Sequence, residues 1–345
     1  MLASVAEEIA RGGGWISFAR YMELALHGPG GYYTSAAPKL GPAGDFVTAP
    51  ELGGLFGRTL ARQLKPFQKI LEIGAGSGAL ADVLLKEVDC EYWILETSPS
   101  LRALQQQRLG ARARWLETLP RGFRGAILAN EVLDAMPVHA VAWREAGVFE
   151  RGVALRGGRL AWDERPASGL LAEQAKAVPV PVPYESEIGL VGQAWARGLG
   201  EVLDEGVAFL IDYGFPRREY YHPQRAAGTL MSHHRHRAHA EVLAHPGEED
   251  ITAHVDFSAI ARAAVEGGLR VLGYATQAQF LVNCGITDVL GEANAEHALH
   301  YAPLAAEAQR LLSPAEMGEL FKVLAVGRNA GPLMGFSSGD RSHTL

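Results

Sequence analysis

A glycine-rich stretch at residues 70–80, Ile-Leu-Glu-Ile-Gly-Ala-Gly-Ser-Gly-Ala-Leu, constrains the fold of this chain more than any other segment. It begins as an apolar run typical of a buried parallel strand and resumes as a pattern suited to a helix. Gly74, Gly76 and Gly78 lie between the two. Glycine lets the chain reverse tightly and bring backbone N–H groups close to a ligand. The stretch therefore predicts the strand, turn and helix that begin a nucleotide-binding fold.

The glycine pattern alone leaves the cofactor open. Gly74-x-Gly76-x-Gly78 is common in S-adenosylmethionine (SAM) methyltransferases, whereas Gly74-x-Gly76-x-x-Ala79 also satisfies the dinucleotide fingerprint. A second apolar strand ends in Glu96, about 20 residues beyond Gly74. An acidic side chain at that distance accepts hydrogen bonds from both ribose hydroxyls, which predicts a ribose-binding role for Glu96.

The rest of the chain continues the alternation of strands and helices. Thr97-Ser98-Pro99 predicts a helix start, and the helix continues to Leu109 with several glutamines on its solvent side. Such alternation is typical of an α/β fold. Further core strands are predicted at residues 113–116, 125–129, 207–211, 269–275 and 321–326.

Polar residues follow the strand predicted at 125–129. Asn130, Glu131 and Asp134 come directly after it. Ligands of open α/β sheets lie beyond the carboxyl ends of the strands, so Asn130 or Glu131 is expected to face the cofactor or the incoming nucleophile. The alternative interpretation is a helix cap with solvated acids.

A long loop between residues 32 and 50 precedes a helix predicted to run from Glu51 through Leu64. Its tyrosine, phenylalanine and acidic residues favour a folded binding loop over a surface connector. Asp45, Thr48 and Glu51 are then expected at or near a helix N-terminus, where free N–H groups also gather.

Two segments are predicted as insertions into the core. Segments of alternating polarity between about 138 and 166 predict an antiparallel ribbon, and a helix is expected over 187–203. The ribbon lies between core strands, where it suits substrate selection. Residues 215–255 show no regular pattern and include the His-rich segment 233–239. Adjacent histidines beside two arginines lack the fixed face of a metal site, so no metal is predicted.

Asp256 follows this irregular region and precedes another predicted helix. Together with His254 it could point into the same cleft as the acids that follow the strand predicted at 125–129. A role as the N-cap of the helix is an equally good interpretation of Asp256.

The composition narrows the class of protein. At 345 residues and 48% hydrophobic, the chain has ample material for a core. A net charge of −7 and a pI near 6.0 argue against a bulk nucleic-acid binder. Cys90 and Cys284 are isolated thiols, which fits a reducing compartment. No long apolar span and no signal-like first residues are present, so the expectation is a cytoplasmic protein without membrane insertion.

Several motifs together resemble one known family. They lie at residues 44–51, 71–78, 130–138, 210–214 and 251–257, with Tyr21-Met22, Gly31-Tyr32-Tyr33, Thr276-Gln277 and Met317-Gly318 in addition. Across nearly its whole length the chain resembles the MidA family of SAM-dependent methyltransferases, which includes a mitochondrial complex I assembly-factor arginine methyltransferase. It departs from that relative in lacking a transit peptide and in its His-rich segment, which indicates a bacterial member.

The resemblance implies a fold, a cofactor and a set of residues. The fold would be a Rossmann-like α/β core of seven strands with an N-terminal helical cap and inserted β-ribbon and helical segments. The acceptor would be a protein such as a subunit of complex I, and a homodimer is compatible with the sequence. SAM would be held by Gly74, Ala75, Gly76 and Gly78, its ribose by Glu96, its methionine end by Asn130 and Glu131, and the closing loop would supply Asp45, Thr48 and Glu51.

The expected units divide the chain at the core boundaries. Residues 1–68 hold the N-terminal helices and the active-site loop, and 69–137 the first part of the core. The inserted ribbon and helix occupy 138–205, and 206–331 complete the core around the loop at 215–255. Residues 332–345 are expected to form a disordered tail.

If the acceptor is an arginine, its guanidinium arrives charged, and a carboxylate must orient it and help to remove a proton. Glu131 and Asp134 are the first candidates for that catalytic role, with Asp45, Glu51 and Asp256 second. Two other functions remain open from the sequence: an assembly chaperone that binds SAM without turnover, and an NAD-dependent oxidoreductase.

Overall fold

The structure is a computed structural model that describes residues 1–34, 48–234, 237–293 and 298–345. Its strands and helices alternate along most of the chain. The strands are β1 (Ile16–Ser17), β2 (Lys69–Ile73), β3 (Glu91–Leu95), β4 (Arg114–Leu116), β5 (Phe123–Asn130), β6 (His139–Arg144), β7 (Gly147–Arg156), β8 (Arg159–Pro166), β9 (Tyr184–Ile188), β10 (Leu203–Phe215), β11 (Met231–His234), β12 (Arg237–His239), β13 (Asp250–Thr252), β14 (Val255–Asp256), β15 (Arg270–Thr276) and β16 (Phe321–Arg328).

The helices cover both faces of the main sheet and the ends of the chain. They are α1 (Leu2–Arg11), α2 (Phe18–His27), α3 (Ala49–Leu52), α4 (Leu55–Leu64), α5 (Ala79–Glu87), α6 (Pro99–Leu109), α7 (Gly169–Lys176), α8 (Leu190–Val202), α9 (Arg217–Tyr220), α10 (Phe257–Glu266), α11 (Gln277–Asn283), α12 (Ile286–Gly291), α13 (Ala298–Leu312) and α14 (Met317–Leu320). In the described part of the chain, no helix is both long and apolar enough to cross a bilayer.

The main sheet contains seven strands of the described chain in the order β15-β16-β10-β5-β2-β3-β4, and the short β14 pairs with the end of β10. Neighbouring strands are parallel except at β16, which runs antiparallel to both β10 and β15. The chain leaves β2 towards β3 on one side and later returns to β5 on the other. This reversal is a topological switch point, where ligands of such sheets bind. The predicted seven-stranded Rossmann-like core is confirmed.

Strand β10 shows how the core is built on both sides of this sheet. Val207, Phe209 and Ile211 pack into one apolar cluster, while Ala208 and Leu210 pack into the other. Side chains alternate between the two faces of a strand, and both faces are covered by helices, so the strand is apolar throughout.

A second sheet lies beside the core, in the order β1-β7-β6-β9 with β8 paired to β7. Its strands are all antiparallel to their neighbours, and β6, β7 and β8 correspond to the expected ribbon. The helix predicted from residue 187 begins only at Leu190, because Glu187 and Ile188 pair with β6 instead. The N-terminal helices α1 and α2 pack against β7.

The region at 215–255, predicted as irregular, contains a small sheet in the order β12-β11-β13. Buried Glu187 connects this region to the second sheet. Its carboxylate accepts hydrogen bonds from the Thr229 backbone N–H at 3.0 and 3.1 Å and from the Thr229 hydroxyl at 2.7 Å. The insertion is therefore anchored by a long-range polar contact that has no local sequence pattern.

Two further expectations differ from the structure. The helix predicted from Glu51 to Leu64 is broken at Gly53-Gly54 into α3 and α4, and the Glu307 carboxylate caps α4 by accepting from Leu55 N–H at 2.8 Å. Residues 332–345, expected to be disordered, pack along β15 and α11. In that segment Arg341 N–H donates to the Tyr274 carbonyl at 2.7 Å.

Candidate active site

A cavity of about 580 Å³ lies at the carboxyl ends of β2, β3 and β5, at the switch point. Its volume is within the range of about 300–1,000 Å³ that is typical of small-molecule sites. Most of the predicted site residues of the described chain line it: Thr48, Glu51, Gly74, Ala75, Gly76, Glu96, Asn130, Glu131 and Asp134. Asp45 lies outside the described residues.

The glycine turn after β2 forms one wall of this cavity. Gly74, Gly76 and Gly78 have φ values of 67°, 54° and 78°, in the left-handed region that favours glycine. A Cβ on Gly74 would also lie 3.0 Å from Val132 Cγ2, so a side chain there would press on the opposite wall. Gly78 does not line the cavity; it is the N-cap of α5.

Glu96, at the end of β3, is buried and held in one orientation. One carboxylate oxygen accepts from Ser98 N–H at 2.9 Å, and the other accepts from Gln105 Nε2 at 2.9 Å. Burial raises the pKa of Glu96, while these hydrogen bonds lower it. The carboxylate is therefore fixed before any ligand arrives.

Gln106 and Gln107 are exposed, as predicted for the glutamines of this helix, but Gln105 is not. It is fully buried, donates to the Gly76 carbonyl at 2.8 Å and accepts from Trp115 Nε1 at 3.0 Å. Gln105 therefore links α6 to the glycine turn and to Glu96. The low apolar content of α6 concealed this role in the sequence.

The start of α3 joins the glycine turn through Ser77. The Ser77 hydroxyl donates to the Glu51 carboxylate and accepts from Arg108 Nη1 at 2.7 Å and Ala79 N–H at 3.2 Å. Thr48 is the N-cap of α3, and its carbonyl accepts from Glu51 N–H at 2.9 Å. Glu51 and Thr48 thus border the cavity that Glu96 also lines.

Acidic groups crowd the wall that follows β5. Asn130 Nδ2 donates to Glu131 Oε1 at 3.0 Å, and the Tyr213 hydroxyl donates to Asp134 Oδ2 at 2.7 Å. Glu131 has a φ of 52°, unusual for a residue with a side chain. Asn130 Oδ1 and Asp134 Oδ1 are buried and have no hydrogen-bond partner within the described chain. Both oxygens are acceptors without donors.

Asp212, at the end of the neighbouring strand β10, holds this acidic loop in place. One of its oxygens accepts from the backbone N–H groups of Val132, Leu133 and Asp134 at 3.2, 2.9 and 3.2 Å. Glu131 N–H donates to the Ile211 carbonyl at 2.9 Å. The unusual backbone at Glu131 is thus fixed by two successive residues of β10. Asp212 was not predicted as a site residue, because this contact joins segments about 80 residues apart.

The three acids at this wall, Glu131, Asp134 and Asp212, all have raised pKa values. Burial, and secondarily the charge of Asp134, raises the pKa of Glu131 to about 8. Burial raises the pKa of Asp134 to about 6, although the Tyr213 hydroxyl opposes the shift. Burial and the two neighbouring carboxylates raise the pKa of Asp212. Among the residues described, no lysine or arginine forms an ion pair with these three acids.

The N-terminal cap completes the cavity with residues that were not predicted individually. The Tyr33 hydroxyl donates to Asp250 Oδ1 at 2.9 Å, and the Tyr33 carbonyl accepts from the Ser98 hydroxyl at 2.6 Å. The ring of His27 stacks on Tyr33 with centroids 5.4 Å apart. Tyr33 belongs to a motif that carried the family resemblance, but its partners come from distant segments.

Asp256 lies away from the main cavity. It is the N-cap of α10, where its Oδ1 accepts from Ala259 N–H at 3.1 Å, and it lines a separate, smaller cavity. The helix-cap interpretation is confirmed. In the His-rich region, His239 Nε2 lies 3.2 Å from Glu249 Oε1. Within the described ranges, no group of His, Cys, Asp and Glu is arranged to hold a metal ion.

Comparisons with known proteins agree with this geometry. The family model of S-adenosyl-L-methionine-dependent methyltransferases matches residues 55–275. The match covers more than half of the chain, and the chain belongs to this family of SAM-dependent methyltransferases.

A protein from Burkholderia thailandensis, crystallised with bound S-adenosyl-homocysteine (SAH), is 47% identical, with a TM-score of 0.96 over 100% of this chain and 96% of that one. The mitochondrial protein arginine methyltransferase NDUFAF7 of Danio rerio is 30% identical over 91% of this chain and 83% of its own length. The Drosophila melanogaster homolog is 29% identical over 94% of this chain and 86% of its own.

The residues of the main cavity fit SAM, the cofactor of this family. The glycine turn exposes backbone where a Cβ would intrude, and Glu96 offers a fixed carboxylate. The unpartnered oxygens of Asn130 and Asp134, beside Glu131, suit a ligand that carries positive charge and N–H donors. The cofactor left open by the glycine pattern is therefore SAM.

Proposed function

We propose that this chain is a protein arginine N-methyltransferase. The observation that carries the proposal is the pair of carboxylates after β5, half-buried Glu131 and buried Asp134, which has no cationic partner within the described chain. A buried acid without a partner is costly unless a bound cation compensates it. The relatives named as protein arginine methyltransferases support the choice of a guanidinium as one such cation.

We assign the cofactor to the side of the cavity formed by the glycine turn. Gly74, Ala75 and Gly76 would approach SAM with their backbone, and Gly78 would shape the turn. Glu96 would accept from the ribose hydroxyls, while Asn130 and Glu131 would accept from the ammonium of the methionine end. Thr48 and Glu51 would close the cavity, together with Asp45.

Glu131 and Asp134 would hold the acceptor arginine. A guanidinium remains charged in proteins and offers five N–H donors in one plane. SAM supplies an electrophilic methyl group. Asp134 Oδ1, free to accept a hydrogen bond, would orient the attacking nitrogen, and one of the two acids would take the proton that this nitrogen loses. Their raised pKa values suit an acid that must accept and then release a proton near neutral pH.

The acceptor protein is proposed from the family resemblance. It would be a subunit of respiratory complex I or its bacterial counterpart, and the site of action would be the cytoplasm. A chaperone that binds SAM without turnover would use the same cavity, so only a methylated product distinguishes the two functions.

The test begins with calorimetric titration of SAM, SAH and NAD into the wild type and Gly76→Val. A branched side chain at a φ of 54° should strain the turn and abolish binding of SAM and SAH. Purified complex I from a strain without this protein is then incubated with the wild type and SAM, and mass spectrometry locates new methyl groups. Methylated arginine is the expected product. Binding of SAM without any methylated subunit would support the chaperone, and methylation confined to other residue types would overturn the arginine assignment.

A further inference from the structure

A second cavity of about 260 Å³ adjoins the main one across the loop that follows β5. Met136 lines both cavities and is thus their shared wall. The remaining walls come from α7, α8, α9 and α10, which include parts of both insertions. None of the described residues assigned above to SAM or to the guanidinium lines this cavity. We call it the side pocket.

The inner surface of the side pocket is largely apolar. Leu133, Val138, Ile188 and Val255 are all at least nine-tenths buried and line it. At the mouth, Leu170 is 56% exposed, which is unusual for a large apolar side chain. Buried apolar residues inside a pocket, with an exposed apolar residue at its entrance, are typical of a site where a partner protein inserts a side chain.

The charges around the side pocket balance. Arg217 and Arg262 are matched in number by Glu173 and Asp256. Arg217 is also occupied, because its Nη2 donates to the Ala177 carbonyl at 3.0 Å and its Nη1 lies 4.0 Å from Asp256 Oδ2. The described lining therefore offers no net charge to attract an ionic ligand.

The volume favours one side chain over a second small molecule. At about 260 Å³ the side pocket is smaller than the range of about 300–1,000 Å³ typical of cofactor sites. Aromatic side chains that bury about 150–250 Å² are the usual occupants of such single pockets at protein interfaces.

Gly192, in the first turn of α8, keeps part of this space open. A Cβ there would lie 3.4 Å from Ile260 Cδ1 and 3.8 Å from both Leu133 Cδ2 and Met136 Sδ, which are ordinary contacts. Neither clashes nor a left-handed backbone require glycine at this position. The packing around Gly192 would therefore accept a side chain, and the pocket is open there because this residue is glycine.

We propose that the side pocket receives an apolar or aromatic side chain of the methyl-acceptor protein, a few residues from the modified position. The inference rests on the proposed function in one respect, that the acceptor is a polypeptide. The shared wall at Met136 allows one extended peptide to reach both cavities. The insertions would then determine which proteins are methylated, while the core holds SAM.

The experiment uses a variant that fills the pocket and a matched control on the same helix. Gly192→Leu should project into the side pocket, whereas Gly198→Leu lies in α8 where a Cβ meets nothing within 4 Å. Both proteins carry ¹³C-labelled methionine methyl groups, and the Met136 signal is assigned with Met136→Leu. The probes are N-acetyl-phenylalaninamide for the side pocket and SAH for the main cavity.

The phenylalanine probe should shift the Met136 signal in the wild type and in Gly198→Leu but not in Gly192→Leu. SAH should shift it in all three proteins, which shows that the variants are folded. No shift with the phenylalanine probe in the wild type, or an equal shift in Gly192→Leu, would overturn the proposal.

Single-arginine peptides that differ at the flanking positions then separate this inference from the proposed function. The wild type and Gly198→Leu should methylate peptides with a flanking phenylalanine or leucine at least ten-fold faster than peptides with glycine or aspartate there, and Gly192→Leu should lose that preference. Methylation without any flanking preference would overturn the side pocket and leave the arginine assignment intact. Absence of arginine methylation, with the Met136 shifts as expected, would overturn the arginine assignment and support the pocket as an apolar binding site.

Discussion

Two carboxylates face the main cavity from the ends of parallel strands, buried Glu96 and half-buried Glu131, and their surroundings differ. Glu96, after β3, accepts from Ser98 N–H and Gln105 Nε2. Glu131, after β5, adjoins Asp134 and Asp212, and burial raises its pKa to about 8. Both oxygens of Glu96 accept hydrogen bonds from neutral donors of the chain, whereas Glu131 accepts from Asn130 Nδ2 at Oε1 and has no cation beside it within the described residues. The hydrogen bonds of Glu96 are therefore made within the protein, whereas Asp134, beside Glu131, keeps one oxygen without a partner in the described chain, which a ligand can pair.

The largest effect should come from Glu131→Gln. Removal of one of the two acids proposed to hold the acceptor and to take its proton should reduce kcat by about 10²- to 10⁴-fold, with a smaller change in SAM affinity. Single-turnover assays and calorimetry on the same preparation measure the two quantities. Unchanged turnover would show that Glu131 has no catalytic role, so that Glu131 and Glu96 would no longer differ in function.

Glu96→Gln should reduce the affinity for the cofactor more than it reduces turnover, the reverse of Glu131→Gln. The amide cannot accept from both ribose hydroxyls while it faces the N–H groups of Ser98 and Gln105, so affinity for SAM and SAH should fall by about 10- to 100-fold. Because both molecules contain the ribose, their losses should match. A decrease in turnover at saturating SAM that exceeds the loss of affinity would contradict the ribose assignment.

Asp212→Asn tests whether β10 holds the acidic loop. The amide presents N–H groups where the backbone of residues 132–134 also donates, so the free energy of unfolding should fall by about 1–3 kcal/mol. Urea denaturation measures the loss.

Asp204→Asn is the control for that measurement. Asp204 is an exposed acid of β10 that lies 3.3 Å from Arg124 Nη2, and its loss should change stability by about 0–1 kcal/mol. Equal effects of the two substitutions would show that Asp212 does not fix the loop.

The smallest expected effect is the number of protons released when the cofactor binds. With a pKa of about 8, Glu131 is mostly neutral at pH 7, and a bound cation favours its charged form. SAM and SAH share the ammonium group that Glu131 is proposed to bind, so binding of either molecule at pH 7 should release up to about one proton. Calorimetry in buffers of different ionisation enthalpy measures the release, and Glu131→Gln should abolish it. Binding without proton release in the wild type would argue against an acid that becomes charged when the ammonium binds.

The same pKa values predict how stability changes with pH. Because the folded pKa values of Glu131 and Asp134 are raised, their contribution is present at low pH and is lost as pH rises through about 6 and then about 8. The Tm of the unliganded wild type should therefore fall over this window more than that of Glu131→Gln. A parallel fall in both proteins would assign the change to other groups.

Local patterns predicted the parts of the site that depend on backbone conformation. The three glycines predicted the turn at residues 74–78, and the position of Glu96 after a short strand predicted a carboxylate at the cavity. Those patterns are reliable because a left-handed φ and a strand end are properties of a few consecutive residues. The same reasoning was wrong about the tail at 332–345, whose packing against β15 and α11 depends on distant partners.

The amino-acid sequence by itself determined the α/β class, the glycine turn, the acids after β5 and the family. Only the tertiary structure decided which of those acids face each other. It placed Asp134 beside Glu131, Asp256 at a different cavity, and Asp212 under the loop. It also buried Gln105 against Glu96. Hydrophobic periodicity reports which face of an element is buried, but the partner of a buried polar group comes from another part of the chain and leaves no local pattern.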